Sequence, residues 1–372
     1  MNNKNASHLL PPEKGGLLSI NLEAIQKNYM LMRQKSHPAR AAVVLKANAY
    51  GLGLKEISEA LFAVGTEDYF VTTIDEGIIL RDVLPSAQIY ILNGVFKGTE
   101  EILQEKNLIP VLLSQEQVSL WKEHALKIGK KCKAILQVDT GMGRFGLSYE
   151  EAMALSQDIK GLAGIDLVYV LSHLSSATLS SHPNNPKELE KFKQVLKFFP
   201  KVPATLANSP GILLGSDYHF NMTRMGIALY GGAPCEDLPN LLAPVLSLKA
   251  KVIQVRSLKK DMPVGYDGTY VMPQDGRIAT VNIGFADGFL RSLSNRGYGL
   301  IEGHKVPIVG IISMDWMSID VTEVPESLIY PGSFITLLGE SLTIDHVAKL
   351  GNTTSYDLIS GLGSRFHRYY EN

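Results

Sequence analysis

The 372-residue chain has few cysteines, no surplus of either charge and no long hydrophobic run. Its two cysteines, Cys132 and Cys235, lie far apart and form no C-x-x-C pair, so their spacing indicates neither a disulfide framework nor a structural zinc site. The 36 Lys and Arg residues balance 37 Asp and Glu residues, which leaves no basic surface for nucleic acid or an acidic membrane. No segment approaches the roughly 20 apolar residues of a membrane helix.

The first 18 residues also lack the apolar stretch of a secretory signal, because they are polar and contain Pro11 and Pro12. We therefore expect a cytoplasmic protein with no nucleic-acid or membrane partner. The chain is longer than the roughly 250–300 residues at which a single hydrophobic core usually stops growing. A large domain and a smaller one are expected.

Short apolar runs alternate with amphipathic segments through the first two thirds of the chain. This alternation is typical of buried parallel strands covered by helices, and eight such units predict a closed (β/α)₈ barrel of the TIM type. An open doubly wound sheet is the alternative. The eight runs are Ala42–Leu45, Tyr69–Thr72, Gln88–Leu92, Leu108–Leu113, Cys132–Val138, Leu167–Leu171, Ala204–Ala207 and Ile227–Tyr230.

From about Ala243 apolar residues alternate with polar ones, and glycine and proline turns separate short β-like stretches. This period of two predicts a mainly β C-terminal domain. The predicted organisation is an N-terminal tail over residues 1–16, an α/β barrel over 17–239 that also includes a short strand at Leu18–Ile20, and a β-domain over 240–372.

The strongest local signal for chemistry is Lys46, within the segment from Val43 to Gly53. A lysine at the C-terminal end of a barrel strand lies where barrel enzymes build active sites, and burial makes its amine a nucleophile for a carbonyl cofactor. The alternative is a lysine that simply leaves the strand for solvent.

The segment Val43 to Gly53 resembles the pyridoxal-phosphate lysine segment of alanine racemases, and the resemblance continues over nearly the whole chain. The family pairs a barrel with a C-terminal β-domain and acts as a head-to-tail homodimer. Further matching segments are Val138–Gly146, Leu171–His173, Ala207–Ser209, Met222–Ile227, Val264–Tyr266, Gly284–Gly288 and Ser313–Asp315.

This resemblance implies that Lys46 binds pyridoxal 5'-phosphate covalently and serves one face of the substrate as a base. Tyr266 of the partner subunit would serve the other face, because racemisation needs acid–base groups on both sides of Cα. Arg224 would donate to the pyridine nitrogen, and His173 would support the network around Tyr266 and Arg224. The phosphate would be bound by Tyr50, Ser209, the backbone of Gly226 and Ile227, and Tyr356.

The substrate carboxylate is expected to bind Arg144 and the backbone of Met314 from the other subunit. Many alanine racemases have a carbamylated lysine seven residues before this arginine, whereas this chain has Gln137, which cannot form the carbamate. We expect the neutral amide of Gln137 to orient Arg144 instead. Asp315 could be structural.

The resemblance predicts an isomerase that interconverts L- and D-alanine and supplies D-alanine for peptidoglycan synthesis. A broad-specificity amino-acid racemase is the enzymatic alternative, and a non-catalytic pyridoxal-phosphate-binding regulatory protein is an alternative of another class. The predicted β-domain carrying Tyr266 and Met314 argues against the regulatory protein, and the Arg224 and Tyr266 arrangement argues against a barrel decarboxylase.

Overall fold

Eight parallel strands, β2 to β9, form a closed barrel in the computed structural model, which describes residues 10, 11, 13–158 and 160–371. The strands follow one another in chain order, and β9 closes the barrel by pairing with β2. The predicted fold class is thereby confirmed. The barrel strands are Arg40–Val44, Asp68–Val71, Gln88–Ile91, Leu108–Leu112, Cys132–Gln137, Ile165–Leu171, Ala204–Asn208 and Met222–Met225.

Side-chain caps begin several of the helices that alternate with these strands. Asn21 accepts a hydrogen bond from the amide of Ala24, and Thr73 and Glu76 form a reciprocal capping box. None of the helices within the described ranges has the length and apolarity to cross a bilayer. Helices α1 to α10 are Leu22–Ser36, Leu54–Ala63, Ile74–Val83, Glu100–Glu105, Gln115–Ile128, Tyr149–Gln157, Asn184–Leu196, Ser209–Leu213, Ile344–Leu350 and Ser355–Ser360.

The C-terminal part of the chain forms an eight-stranded sheet together with β1 from near the chain's start, in the order β13-β16-β15-β14-β17-β10-β1-β18. Strand β10 also pairs with β13, so six of these strands close on themselves. All neighbours are antiparallel except β1 and β18. The strands outside the barrel are β1 Gly16–Asn21, β10 Leu246–Leu258, β11 Pro263–Val264, β12 Tyr270–Val271, β13 Gly276–Val281, β14 Tyr298–Ile301, β15 His304–Val309, β16 Met317–Asp320, β17 Phe334–Leu338 and β18 His367–Glu371.

The eighth barrel strand was predicted wrongly at Ile227–Tyr230, which is a 3₁₀ helix, whereas the strand is Met222–Met225. The error arises because this strand contains Thr223 and Arg224, and both polar side chains are buried and hydrogen-bonded. The strand Met222–Met225 therefore does not stand out as an apolar run in the sequence.

The first strand also differs from the expectation. Strand β1 begins at Gly16, the last residue of the predicted tail, and continues into the predicted barrel range 17–239, but it pairs with β10 on one side and with β18 on the other. Its side chains are buried on both faces, which explains its continuous apolar pattern. The start of the chain thus joins the sheet of the β-domain.

A polar cluster closes the N-terminal end of the barrel, away from the mouth where the strands end. Asp68, the first residue of β3, is buried. Its carboxylate accepts hydrogen bonds from Arg40 at 2.9 and 2.6 Å and from the Tyr90 hydroxyl at 2.9 Å. These bonds satisfy a charge that would be costly to bury alone.

We expect Asp68→Asn to lower the free energy of unfolding by about 1–3 kcal/mol, since the amide cannot replace all three accepted hydrogen bonds. The midpoint of urea unfolding measures the change. Glu67→Gln is the matched control, because Glu67 also pairs with Arg40 but its side chain is 71% exposed. The control should change the free energy by less than ~1 kcal/mol. Equal, small changes of the unfolding midpoint in both variants would contradict the stabilising role assigned to Asp68.

Candidate active site

The strand β2 leads directly into an unusual backbone segment that starts at Lys46. The next residues, Ala47, Asn48, Ala49 and Tyr50, have φ values of 54°, 55°, 52° and 57°. Such left-handed conformations cost non-glycine residues roughly 1–2 kcal/mol each, so other contacts must hold them. We call residues 46–50 the lysine turn. It places the side chains of both Lys46 and Tyr50 against one cavity.

This cavity of about 250 Å³ lies at the mouth of the barrel, where the C-terminal ends of the strands meet. It brings together nine of the eleven predicted site residues. These nine are Lys46, Tyr50, Arg144, His173, Ser209, Arg224, Gly226, Ile227 and Tyr356.

The surroundings of Lys46 lower the pKa of its amine. The residue is exposed at the cavity, but the surrounding protein partly desolvates the amine, and this lowers its pKa most. The nearby Arg144 guanidinium lowers the pKa further, and the Glu76 carboxylate raises it. A lowered pKa increases the share of unprotonated amine at neutral pH. Lys46 is therefore suited to act as a nucleophile or as a base.

Arg224 is held rigidly beneath the cavity by neutral partners. Its guanidinium donates to the Thr205 hydroxyl and to the backbone carbonyls of Ser172 at 2.7 Å and Leu206 at 3.1 Å. The residue is buried, and burial lowers its pKa to about 9. Arg224 is thus a buried arginine that lines the cavity.

His173 lies between Arg224 and Asn208. Its Nδ1 is 3.5 Å from Nη2 of Arg224, and its Nε2 is 3.5 Å from Nδ2 of Asn208. Burial lowers the pKa of His173 to about 3, with Arg224, Arg144 and Lys46 acting in the same direction. The imidazole is therefore neutral at physiological pH.

A set of hydrogen-bond donors surrounds Gly226. The Ser209 hydroxyl accepts a hydrogen bond from the amide of Gly226 at 2.8 Å. A Cβ at position 226 would lie 2.5 Å from the Tyr50 hydroxyl, so only glycine fits there without a clash. Burial raises the pKa of Tyr50 well above its usual value and that of Tyr356 to about 12. Both phenols stay protonated, so they can donate to an anion.

The loop after β6 carries Arg144 and is shaped by Asp139. The Asp139 carboxylate accepts hydrogen bonds from the amides of residues 141, 142 and 143, each at 2.9 Å. Gln137 donates to the backbone carbonyl of Phe145 at 3.4 Å. The Gln137 amide therefore contacts the backbone next to Arg144, and the expected orientation of Arg144 would act through that backbone.

Two predicted site residues, Tyr266 and Met314, lie outside the cavity. Both belong to the β-domain, and they are 67% and 56% exposed. Arg365 donates to Asp287 at 2.6 Å and to Asp315 at 2.7 Å, which fixes the loop beside Met314 and gives Asp315 a structural role. Within one copy of the chain, the structure does not bring Tyr266 and Met314 to Lys46.

Sequence reasoning missed several polar residues of the cavity. Thr72, Asn93 and Asn208 line it, and each lies at or just after the C-terminal end of a barrel strand. That position was the signal that could have identified them, because side chains there face the mouth of the barrel.

The chain is similar to known proteins over nearly its whole length. A family model described as "Alanine racemase, N-terminal domain" matches residues 20–234, and "Alanine racemase, C-terminal domain" matches residues 245–370. An alanine racemase of Rhizobium meliloti is 42% identical over 364 residues, which is 95% of this chain and 96% of the relative. A relative from Agrobacterium fabrum named "Alanine racemase, biosynthetic" is 39% identical over 364 residues, covering 95% of this chain and 93% of the relative. The solved structure of an alanine racemase from Bartonella henselae with covalently bound pyridoxal phosphate has a TM-score of 0.92 and 38% identity, covering 96% of this chain and 99% of that one.

Proposed function

Because the chain belongs to the alanine racemase family, we propose that Lys46 and Tyr266 are the two groups that move the α-proton of alanine. The chain is a pyridoxal-phosphate-dependent isomerase that interconverts L- and D-alanine. The observation that best supports this function is that one cavity holds Lys46 together with Arg224 and the donors around Gly226.

These residues fit pyridoxal phosphate. The amine of Lys46 suits its aldehyde, the Tyr50 and Tyr356 hydroxyls and the Gly226 region suit its phosphate, and Arg224 suits its ring nitrogen. When bound, the cofactor supplies an electron-accepting ring that acidifies the α-proton of the substrate. Arg224 can only donate to the ring nitrogen, so this chain favours rapid return of the proton over side reactions.

Lys46 is proposed to accept and return a proton at Nζ on one face of the substrate. Tyr266 is exposed and outside the cavity of its own chain, so we propose that it acts at Oη on the other face of a second copy's substrate. A head-to-tail homodimer provides this arrangement. The β-domain supports it by exposing large apolar side chains, which are typical of an interface: Met262, Tyr266, Phe285, Met314 and Trp316.

We assign the substrate carboxylate to Arg144, with the backbone of Met314 from the second copy. Arg144 is exposed and held in a loop at the mouth of the cavity, where it can form paired hydrogen bonds with a carboxylate. The neutral His173 of the same cavity can accept from the Tyr266 hydroxyl of the second copy and so position it.

The test is a chirality-resolved assay of the purified, cofactor-loaded protein. We expect L-alanine or D-alanine alone to approach an equal mixture of the two enantiomers. Serine and larger or basic amino acids should be racemised much more slowly. Light scattering should give the mass of a dimer of 40.8 kDa chains. Comparable rates on all amino acids would favour the broad-specificity racemase. Bound cofactor without any racemisation would favour the regulatory protein, and a monomeric active enzyme would refute the shared site.

Three further assignments accompany this function. We propose a biosynthetic role that supplies D-alanine for peptidoglycan, which the name of the Agrobacterium fabrum relative supports. We propose the cytoplasm as the location, where the buried free thiols of Cys132 and Cys235 stay reduced. We propose that the barrel domain ends at residue 239 and that the β-domain begins at residue 240.

A further inference from the structure

One carboxylate from a neighbouring helix contacts the lysine turn close to Lys46. Glu76 lies on α3, in the next strand–helix unit of the barrel, and its Oε1 accepts from the backbone amide of Asn48 at 3.0 Å. Its Oε2 accepts from the amides of Thr72 and Thr73 at 3.0 and 3.2 Å. The same side chain therefore ties the lysine turn to the end of β3.

Other groups hold the far side of the lysine turn. The Asn48 side chain accepts from the amide of Leu54 at 2.9 Å, and Arg368 on β18 donates to the carbonyl of Gly51 at 2.9 Å. Both contacts bind backbone groups, the Leu54 amide and the Gly51 carbonyl, that follow the left-handed residues. Glu76 acts on the second residue after Lys46, where the backbone turns away from β2.

We propose that Glu76 is a positioning residue for Lys46: through the Asn48 amide it holds the lysine turn in place, and its negative charge stabilises the positive charge of the amine. Glu76 does not line the cavity, so it acts through Lys46 and not on substrate. This inference deepens the proposed function and rests on it for the role of Lys46.

The electrostatic balance around Lys46 explains why this charge matters. Partial desolvation and Arg144 lower the pKa of Lys46, and Glu76 opposes both. Without the carboxylate the amine would bind a proton less firmly, so it would be a weaker base in the reaction. The charged or titratable groups around Lys46 are Glu76 from α3, Arg144 after β6, His173 after β7, Arg224 on β9, and the phenols Tyr50 and Tyr356.

A second glutamate provides a matched control. Glu151 occupies the same position of a capping box, because it accepts from the Ser148 amide at 2.8 Å and its own amide donates to the Ser148 hydroxyl at 3.1 Å. Among the described residues, its hydrogen bonds stay within the start of α6. Glu76→Gln and Glu151→Gln therefore change a capping box in the same way, but only Glu76→Gln affects the lysine turn.

The experiment measures the proton affinity of Lys46 in the full-length chain after cofactor removal. Limiting acetic anhydride is applied over a range of pH, and mass spectrometry of the peptide quantifies acetylation of Lys46. We expect the pH midpoint to move lower in Glu76→Gln, with severalfold faster acetylation at neutral pH. We also expect faster hydrogen exchange over residues 47–51. Glu151→Gln should match the wild type in both.

An unchanged Lys46 midpoint in Glu76→Gln would overturn the proposal, since loss of the capping box at the start of α3 would by itself lower stability but leave the midpoint unchanged. If Glu76→Gln fails to fold, Glu76→Asp is used, which keeps the charge but shortens the reach. It should speed exchange over residues 47–51 and leave the midpoint near the wild type, and unchanged exchange would overturn the proposal. Failure of the proposed function is seen separately, as a wild-type chain that does not racemise alanine.

Discussion

Replacing Lys46 with alanine is expected to abolish racemisation together with the visible absorbance of covalently bound pyridoxal phosphate. Lys46 supplies the cavity with an amine whose pKa is lowered by partial desolvation, and this favours its nucleophilic form. Loss of a positioned acid–base group alone costs about 10²–10⁴-fold in rate. Because the covalent attachment is lost as well, we expect kcat to fall at least ~10³-fold for both enantiomers in a chiral assay.

The control for this variant is Lys55→Ala. Lys55 lies on α2, just beyond the lysine turn, and it is exposed. It should leave both the absorbance and the rate close to the wild type. A Lys46→Ala variant that keeps both would remove the assignment of the cofactor to this cavity.

Replacing Tyr266 with phenylalanine should keep the cofactor absorbance but lower the rate of racemisation by about 10²–10⁴-fold. The variant loses only the phenol oxygen, which we propose exchanges the proton on the face used by L-alanine. In deuterated water, the rate at which L-alanine exchanges its α-hydrogen for deuterium should fall sharply. D-alanine should still exchange its α-hydrogen through Lys46. Proton magnetic resonance measures both. Tyr270→Phe is the control, since the Tyr270 hydroxyl bonds to Asp320 at 3.1 Å within the same domain.

Mixed dimers test which chain supplies the phenol. When Lys46→Ala and Tyr266→Phe chains are unfolded together and reassembled, half of the dimers combine the two. If each site takes Lys46 from one copy and Tyr266 from the other, one site of every mixed dimer is intact, and about a quarter of the wild-type activity returns. No recovery would mean that both residues come from one chain.

Much of the fold could be predicted because parallel strands buried on both faces produce continuous apolar runs. Strands β2 to β8 follow this pattern. Strand β9 does not, since it buries an arginine whose partners, such as Thr205 on β8 and the carbonyl of Ser172 just after β7, lie outside this strand. The place of β1 could not be predicted either, because an apolar strand does not reveal which sheet will bury it.

The site could be predicted only partly, because it also depends on contacts between residues that lie far apart in the sequence. Motifs predicted Lys46 and eight further residues that line the cavity, but nothing in the segment Ala47 to Tyr50 predicts four left-handed residues. Their conformation depends on groups far away in the sequence, among them Glu76 and Arg368. Local preference is therefore overruled by contacts that exist only in the folded chain.

The last strand of the chain has a consequence for biosynthesis. Arg368 and Tyr370 on β18 donate to the carbonyls of Gly51 and Leu52, across more than 300 residues of sequence. A chain emerging from the ribosome folds from its N-terminus, so the barrel strands can assemble before these contacts exist. We expect residues 51 and 52 to reach their final conformation only after β18 has been synthesised and has paired with β1. A product truncated before β18 would lack both of these hydrogen bonds, and the backbone just after the lysine turn would be held less firmly.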